Sequence, residues 1–360
     1  MPASIEGTTP ERQVVWPAGA PQRDESAVDT AGARASVATA GQRLPDFFIV
    51  GHGKCGTTAL YQMLKRHPQI YVPDNKDPRF FAPEQWSRYR QQASAEAKSL
   101  HTLEGYLSLF SAASPEQRVG EGTTSYLRST SAARRIAEAQ PAARIIAILR
   151  EPASYLHSFH LQVVKSGVET QRDLRKAIAL VEARREGKHI PRSCHSPATL
   201  MYTDHVRYVE QLRRYHAAFP AERVLVLIYD DYRSDNEATI RKVLRFLEVD
   251  ETPPEQLIET KRVKAVRLLA LHQLANEVRV ARRNSAAAGP LARVVNALTP
   301  AVLRSEAFRA MWRSVVYSAP RPPDEDLMLE LRRRFRPEVV ALSEYLGRDL
   351  VTLWGYDAIA

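Results

Sequence analysis

The sequence predicts an α/β fold, a three-layer α/β/α arrangement with a central parallel sheet and a P-loop-like phosphate-binding loop. Three observations predict it. Continuously apolar runs of strand length occur at Asp46-Phe-Phe-Ile-Val50, Arg144-Ile-Ile-Ala-Ile-Leu149 and Arg223-Val-Leu-Val-Leu-Ile-Tyr229. They are rich in β-branched and aromatic residues, as strands covered on both faces require. Amphipathic stretches of helix length alternate with and follow them, at about 57–66, 129–139, 152–166, 198–217, 236–247 and 325–346. Such alternation feeds strands into one parallel sheet with helices on both sides. The third observation is a glycine-rich turn joining the first strand to the first helix.

Before the first strand, residues 1–43 carry four basic and five acidic side chains amid Ala, Gly, Pro, Ser and Thr, with no helical or strand period, and read as a disordered leader. Residues 44–360 then form a single domain, with the motifs in a core over 45–250 and a helical C-terminal part over 251–360. The polar segment 168–197, rich in Arg and Glu and then in Pro and Ser, is expected to be a mobile excursion beside a site. Residues 261–323 hold Arg-rich helical pattern, broken at Gly289-Pro290 and in the Pro-rich 319–323.

Composition excludes several classes. With 360 residues, 44% apolar and 26% charged, the chain is neither collagen-like, nor a disulfide framework, nor wholly disordered. Cys55 and Cys194 lie far apart and match no metal-ligand or CxxC spacing, which fits a reducing compartment and implies no structural zinc. No charged segment followed by an apolar one marks a signal peptide, and no window approaches 18 uninterrupted apolar residues. A cytoplasmic protein without stable membrane insertion is expected. The net charge is +10, and 41 of the 51 basic residues are Arg, whose planar fork suits phosphate and carboxylate. Basic residues are interleaved with acidic ones, as in Arg134-Arg135 near Glu138 and Arg184-Arg185 near Glu186. No nucleic-acid-binding motif accompanies them, so a nucleic-acid partner is not expected.

The turn after the first strand reads Gly51-His-Gly-Lys-Cys-Gly-Thr-Thr58 and enters a helix at Ala59-Leu60-Tyr61. A turn of this kind presents unpaired backbone N–H groups and the positive end of a helix dipole to one point, which is a phosphate site. Lys54 adds a mobile positive charge, and Thr57 and Thr58 offer hydroxyls while capping the helix. In a Walker A loop, Lys directly follows the last Gly. Here Thr57 follows Gly56 and Lys54 precedes it by two, so the lysine is displaced for an NTPase. The same glycines fit Gly-x-Gly-x-x-Gly, but no acidic residue ends a second strand about 20 residues later, which makes a dinucleotide the minor reading.

Lys54-Cys-Gly-Thr-Thr58 resembles the K-[ST]-G-T-[TS] loop of the sulfotransferases that use 3'-phosphoadenosine 5'-phosphosulfate (PAPS). Further segments follow in that family's order. Asn75-Lys-Asp-Pro-Arg-Phe-Phe81 is similar to the K-E-x-x-[FY]-F segment of heparan-type and bacterial members, and Gly120-Glu-Gly-Thr-Thr-Ser-Tyr-Leu127 to G-E-K-[ST]-P-x-Y. Ile148-Leu-Arg-Glu-Pro152, with Ser158 eight residues after Arg150, is similar to the L-R-[DE]-P-x5-S element that holds the 3'-phosphate. Tyr229-Asp-Asp-Tyr232 and the helix Ala238–Asp250 resemble the next element, and Leu342–Leu350 is a weaker echo.

The resemblance implies transfer of a sulfuryl group from PAPS, without a metal, to a hydroxyl or amine of a small-molecule, glycan or lipid acceptor. Lys54 would stabilise the leaving phosphate; Gly53, Cys55, Gly56, Thr57 and Thr58 would hold the 5'-phosphate; Arg150 and Ser158 would hold the 3'-phosphate. Lys261 and Arg262 fall where the family places a basic segment over the nucleotide. For the base, the resemblance offers Asp77, where the family usually has Glu, and Glu121, whose following Lys is here Gly122. His52 and Lys76 are further candidates for contact with donor or acceptor. The chain looks most like a bacterial cytoplasmic member. The alternative is a P-loop kinase or NTPase using ATP and Mg²⁺, with Val224–Asp230 as its metal-binding strand.

Overall fold

The computed structural model describes residues 43–85, 99–194, 196–254, 265–266, 317–318 and 322–359. Five short parallel strands form the central sheet: β1 (Phe47–Ile49), β2 (Ile70–Tyr71), β3 (Arg118–Gly122), β4 (Arg144–Leu149) and β5 (Val224–Ile228). Their order is β2-β3-β1-β4-β5. The chain goes from β1 to the edge strand β2, returns with β3 between them, and then crosses to β4 and β5 on the other side of β1, where the order reverses. Crevices outside the carboxyl ends of strands at such a point are where open α/β sheets bind ligands. Phe47 pairs in register with Gly120 on one side and Arg144 on the other, so Val50, Thr123 and Arg150 leave the sheet along the same edge.

Both faces are covered. Helices α1 (Thr57–Leu64), α3 (Ala132–Ala139), α4 (Pro152–Lys165), α8 (Tyr208–Ala218), α10 (Asn236–Phe246) and α11 (Glu325–Leu346) pack around strands whose side chains are almost entirely excluded from water, and the short α2 (Leu103–Leu107) buries Tyr106 and Leu107 in the same core. Phe47, Phe48, Ile49 and Ile145 to Leu149 are all 0% exposed, which is why these runs carry no polar alternation. The parallel sheet and the starts of α1, α4 and α11 agree with the sequence expectation. Three differences have physical causes.

First, β2 and β3 carry no apolar run. β3 reads Arg-Val-Gly-Glu-Gly because a Cβ on Gly120 would lie 2.0 Å from the Phe47 ring and one on Gly122 would lie 2.7 Å from the Tyr61 ring. Second, the helix expected over 198–217 is three pieces: a 3-10 turn at Pro197–Leu200, α7 (Tyr202–His205) and α8. Third, the excursion at 168–197 is a fixed substructure containing α5 (Leu174–Ala179) and α6 (Val181–Arg185). Its centre is an ion pair, Arg184 to Glu169 at 2.8 Å, with both side chains at most 1% exposed. Glu169 also accepts from the amides of Thr170 and Gln171 (2.8 Å each) and from the Tyr202 hydroxyl (3.1 Å), so the buried charges are hydrogen-bonded as burial demands.

Arg43, assigned to the leader, is anchored to the Pro115 carbonyl (3.0 Å) and to Asp46 (2.7 Å). Residues 1–42 lie outside the described residues, as does most of 255–321. Among the described residues no helix is long and apolar enough to cross a membrane. After β5, the short helix α9 (Tyr229–Ser234) leads into α10, and α12 (Leu350–Leu353) follows α11.

Candidate functional site

The loop leaving β1 is shaped by close packing at its start and left-handed backbone at its end. A Cβ on Gly51 would lie 2.1 Å from the Ile148 amide nitrogen, so only glycine passes β4 there. Lys54 has φ 73° and Gly56 φ 85°, and the Lys54 conformation is one that a non-glycine residue holds only where its surroundings impose it. Gly56 is the N-cap of α1 and provides no side-chain cap. Thr57 and Thr58 are therefore the first helical residues rather than the cap, and the N-terminal amides of α1 stay available to an anion. Thr57 is buried and Thr58 exposed.

Arg150 follows β4 directly, and its Nη1 donates to the Lys54 carbonyl at 3.1 Å. Its guanidinium lies 4.7 Å from the Tyr229 ring centroid, and its carbonyl accepts the Tyr208 hydroxyl at 2.9 Å. The neighbouring Glu151 does not pair with it. Glu151 caps α4 by accepting from the amides of Ala153 (2.9 Å) and Ser154 (2.7 Å), and it accepts from the Tyr356 hydroxyl at 2.5 Å. Burial lowers the pKa of Lys54, and the charges of Arg150 and of Lys165, at the end of α4, lower it further. Among the described residues neither Lys54 nor Arg150 has a carboxylate ion pair. Cations gathered this way lower the energy of a polyanion placed between them. Ser158 lies on α4, 9% exposed. Lys165 belongs to none of the recognised segments, and only the fold brings it near.

The two carboxylates have different surroundings. Asp77, with φ 63°, sits in a turn whose amide donates to the Gly122 carbonyl (2.9 Å). Its Oδ1 accepts from the Thr124 amide (2.9 Å) and hydroxyl (3.0 Å), while Oδ2 lies 3.3 Å from Lys76 Nζ and the side chain is 32% exposed. The same Thr124 hydroxyl lies 3.8 Å from where a Cβ on Gly53 would stand, so Thr124 joins the loop to Asp77.

Glu121 is 0% exposed. Its carboxylate accepts from Tyr106 (2.6 Å), Thr123 (2.5 Å) and Tyr126 (3.3 Å), and burial pushes its pKa up to about 7, with Asp77 adding to the rise and the hydroxyls opposing it. Two of those hydroxyls reach back to the Asp77 turn: Thr123 Oγ1 accepts from the Arg79 amide (3.2 Å) and Tyr126 Oη from the Phe81 amide (3.0 Å). Gly122 stands where a lysine was expected, and Lys76 occupies that space. Its Cε lies 3.4 Å from the place of a Cβ on Gly122, and its ammonium lies 5.9 Å from the Tyr61 ring centroid.

His52 is buried and bonded to Gln211 Oε1 (2.8 Å), and burial drops its pKa to about 3, so it is a neutral structural ring. Cys55 is a buried thiol pushed up to about 12. Lys261 and Arg262 lie outside the described residues. Asp230, the acidic residue of the rival metal-binding strand, accepts from Trp354 Nε1 at 2.9 Å, and β4 separates its strand from β1.

The family profile described as "Sulfotransferase family" matches residues 45–253. A mouse protein named carbohydrate sulfotransferase 15 is 27% identical over 256 residues, covering 59% of this chain and 45% of that protein. Human bifunctional heparan sulfate N-deacetylase/N-sulfotransferase 3 is 25% identical over 212 residues, covering 58% of this chain and 22% of that protein. The chain thus spans less than half the length of these curated relatives. The crystal structure of a sulfotransferase from Alicyclobacillus acidocaldarius superposes with a TM-score of 0.58 at 24% identity, over 86% of this chain and 98% of that one.

Proposed function

The chain belongs to the sulfotransferase family, and from that premise we propose that it transfers the sulfuryl group of PAPS to a hydroxyl or amine of a carbohydrate, lipid or other small-molecule acceptor. The observation that carries this reading is the convergence of Lys54 and Arg150, joined at 3.1 Å, on the carboxyl edge of β1 and β4, with no carboxylate partner for either among the described residues. A donor bearing two separate phosphates needs two such points. The loop amides and Lys54 serve the 5'-phosphate, and Arg150 with Ser158 serves the 3'-phosphate.

In this reading the acceptor oxygen or nitrogen attacks sulfur in line, a new bond to sulfur forms, and the bond to the bridging oxygen breaks. The electron pair stays on the 5'-phosphate of adenosine 3',5'-bisphosphate, where Lys54 meets the developing charge. Asp77 takes the acceptor proton on Oδ2, since Oδ1 is occupied by Thr124. Glu121, 0% exposed and receiving three hydroxyls, presents no surface to an acceptor and instead holds the turn that carries Asp77. The names of the relatives support a carbohydrate acceptor, and the free thiols Cys55 and Cys194 support a cytoplasmic setting.

Thermal shift with adenosine 3',5'-bisphosphate, set beside ATP with Mg²⁺, tests the donor. Stabilisation by the bisphosphate is expected. Stabilisation by ATP alone would replace this reading with that of a kinase.

A further inference from the structure

The tight turn inside the phosphate loop is held from outside the loop. His52, Gly53, Lys54 and Cys55 form it, closed by the Cys55 amide on the His52 carbonyl (3.4 Å). Lys54 takes the third position with φ 73°, a place of positive φ where turns ordinarily carry glycine or asparagine. A lysine stays there only when the surrounding structure imposes it. Two anchors do so: the Arg150 guanidinium donates to the Lys54 carbonyl (3.1 Å), and the His52 side chain is bonded to Gln211 (2.8 Å).

Both anchors lead to α8. Gln211 is 1% exposed, beside the buried Tyr208, Leu212 and Tyr215 of the same helix. Its amide nitrogen donates to the carbonyls of Asp204 (2.8 Å) and His205 (3.2 Å), which turns Oε1 toward His52. The reverse orientation would set an oxygen against two carbonyl oxygens. Oε1 therefore accepts, and the proton of the neutral His52 ring sits on Nε2. That ring packs against those of Tyr155 (centroids 5.1 Å) and Tyr208 (5.7 Å). Three positions before Gln211, and so on the same helix face, Tyr208 donates its hydroxyl to the Arg150 carbonyl (2.9 Å). The helix is itself pinned, since the Val209 amide donates to Glu338 of α11 (2.9 Å) and the Tyr215 hydroxyl to the Tyr126 carbonyl beyond β3 (3.0 Å). One turn of α8 thus reaches both cationic points.

We propose that Gln211 and Tyr208 are positioning residues for the donor. Gln211, through the Nε2–H of His52, holds the Lys54 turn that meets the 5'-phosphate; Tyr208, through the Arg150 carbonyl, holds the arginine that meets the 3'-phosphate. This assignment rests on the donor reading given above. Neither side chain touches the nucleotide, and each acts by fixing a group that does. Because the two anchors are separate, removing one loosens mainly one phosphate contact. An apolar side chain at 211 would fill the same buried space but leave the His52 proton unsatisfied.

The test is calorimetry of the full chain with adenosine 3',5'-bisphosphate and with adenosine 5'-monophosphate, on wild type, Gln211→Met and Tyr208→Phe, with melting temperatures in parallel. Gln211→Met should bind both nucleotides about fivefold more weakly, the worth of one hydrogen bond, and keep their affinity ratio. Tyr208→Phe should lose about fivefold on the bisphosphate and hold the monophosphate within about twofold. His52→Gln, whose amide nitrogen can still donate to Gln211, should keep both affinities within about twofold. A merely structural role lowers the melting temperature of these variants and leaves both affinities unchanged, which overturns the proposal. So does an equal loss on both nucleotides in Tyr208→Phe. Nitrogen NMR of wild type, with His52→Gln identifying the resonance, should show Nε2 protonated and Nδ1 bare. The opposite tautomer breaks the link to Gln211, and this measurement decides even if Gln211→Met does not fold. A wild type that binds neither nucleotide overturns the donor reading and this assignment with it. A wild type that binds both, beside variants that bind as well, overturns this assignment alone.

Discussion

Thr124 donates both its amide (2.9 Å) and its hydroxyl (3.0 Å) to a single oxygen, Oδ1 of Asp77. Two donors on one oxygen orient the carboxylate and leave the other for Lys76 and, in the proposed reaction, a substrate proton. Asp77→Asn keeps the shape and removes the proton acceptor, so kcat is expected to fall by roughly 10²–10⁴. Affinity for adenosine 3',5'-bisphosphate should hold. Steady-state kinetics on an accepted substrate with parallel calorimetry check this, and near-normal turnover would remove Asp77 from the reaction.

Glu121 is expected to show itself through stability. Its pKa rises from 4.5 to about 7 in the folded chain, so the fold binds the proton more tightly than the unfolded chain does. The stability from this group is complete below about pH 4.5 and is lost as pH rises through 7, a difference on the order of 3 kcal/mol. His52, neutral and lowered to about 3, contributes the opposite slope, gaining stability as pH rises toward 6.5. Urea unfolding of wild type and Glu121→Gln at pH 4.5 and 7.5 separates them: the Gln variant lacks the loss that wild type shows. Equal pH responses would mean an unshifted Glu121.

How much was legible in the sequence follows from where side-chain identity reports local structure. The strand runs 46–50 and 144–149, the loop and Arg150 were readable because continuous apolar residues, glycine spacing and a strand-end arginine are local signals. β3 was not, since Gly120 and Gly122 answer to Phe47 and Tyr61 across the fold and not to strand propensity. The same holds for Asp77: its partner Thr124 lies 47 positions away, and no spacing announces that bond. Segment 168–197 looked loose because its polarity is conspicuous, whereas its order centres on the buried pair Glu169 and Arg184 and on bonds such as Ser193 to the Gly167 carbonyl and Arg185 to Asp204. Buried polar contacts between distant segments are what a single sequence hides.

Gly51 gives a sharp steric prediction. A methyl group there would stand 2.1 Å from the Ile148 nitrogen and 2.9 Å from its carbonyl oxygen, both backbone atoms of β4, the strand that pairs with β1. Neither can move without parting β1 from β4, so Gly51→Ala is expected to cost several kcal/mol and to yield little soluble protein. Gly53→Ala, whose nearest neighbour is a hydroxyl 3.8 Å away, is the control and should fold normally. Soluble yield and melting temperature of the pair decide it.

The last prediction separates the two cations that meet at the loop. Lys54 offers an ammonium held partly out of water, and its pKa is lowered by burial and by Arg150, so its charge is best stabilised when an anion is present. Lys54→Ala should remove transition-state stabilisation and reduce kcat by about 10² or more. Arg150, in the proposed reading, presents a fork to a phosphate, and it donates to the Lys54 carbonyl, which braces a residue at φ 73°. Arg150→Ala should therefore weaken the bisphosphate by about 10–100-fold, the worth of a charge-assisted contact, and lower kcat as the loop relaxes. Arg150→Lys restores charge without the fork. If it recovers kcat but not affinity, the guanidinium reads the phosphate by geometry; if affinity returns in full, charge alone suffices. Donor affinity unchanged in Arg150→Ala would refute the assignment.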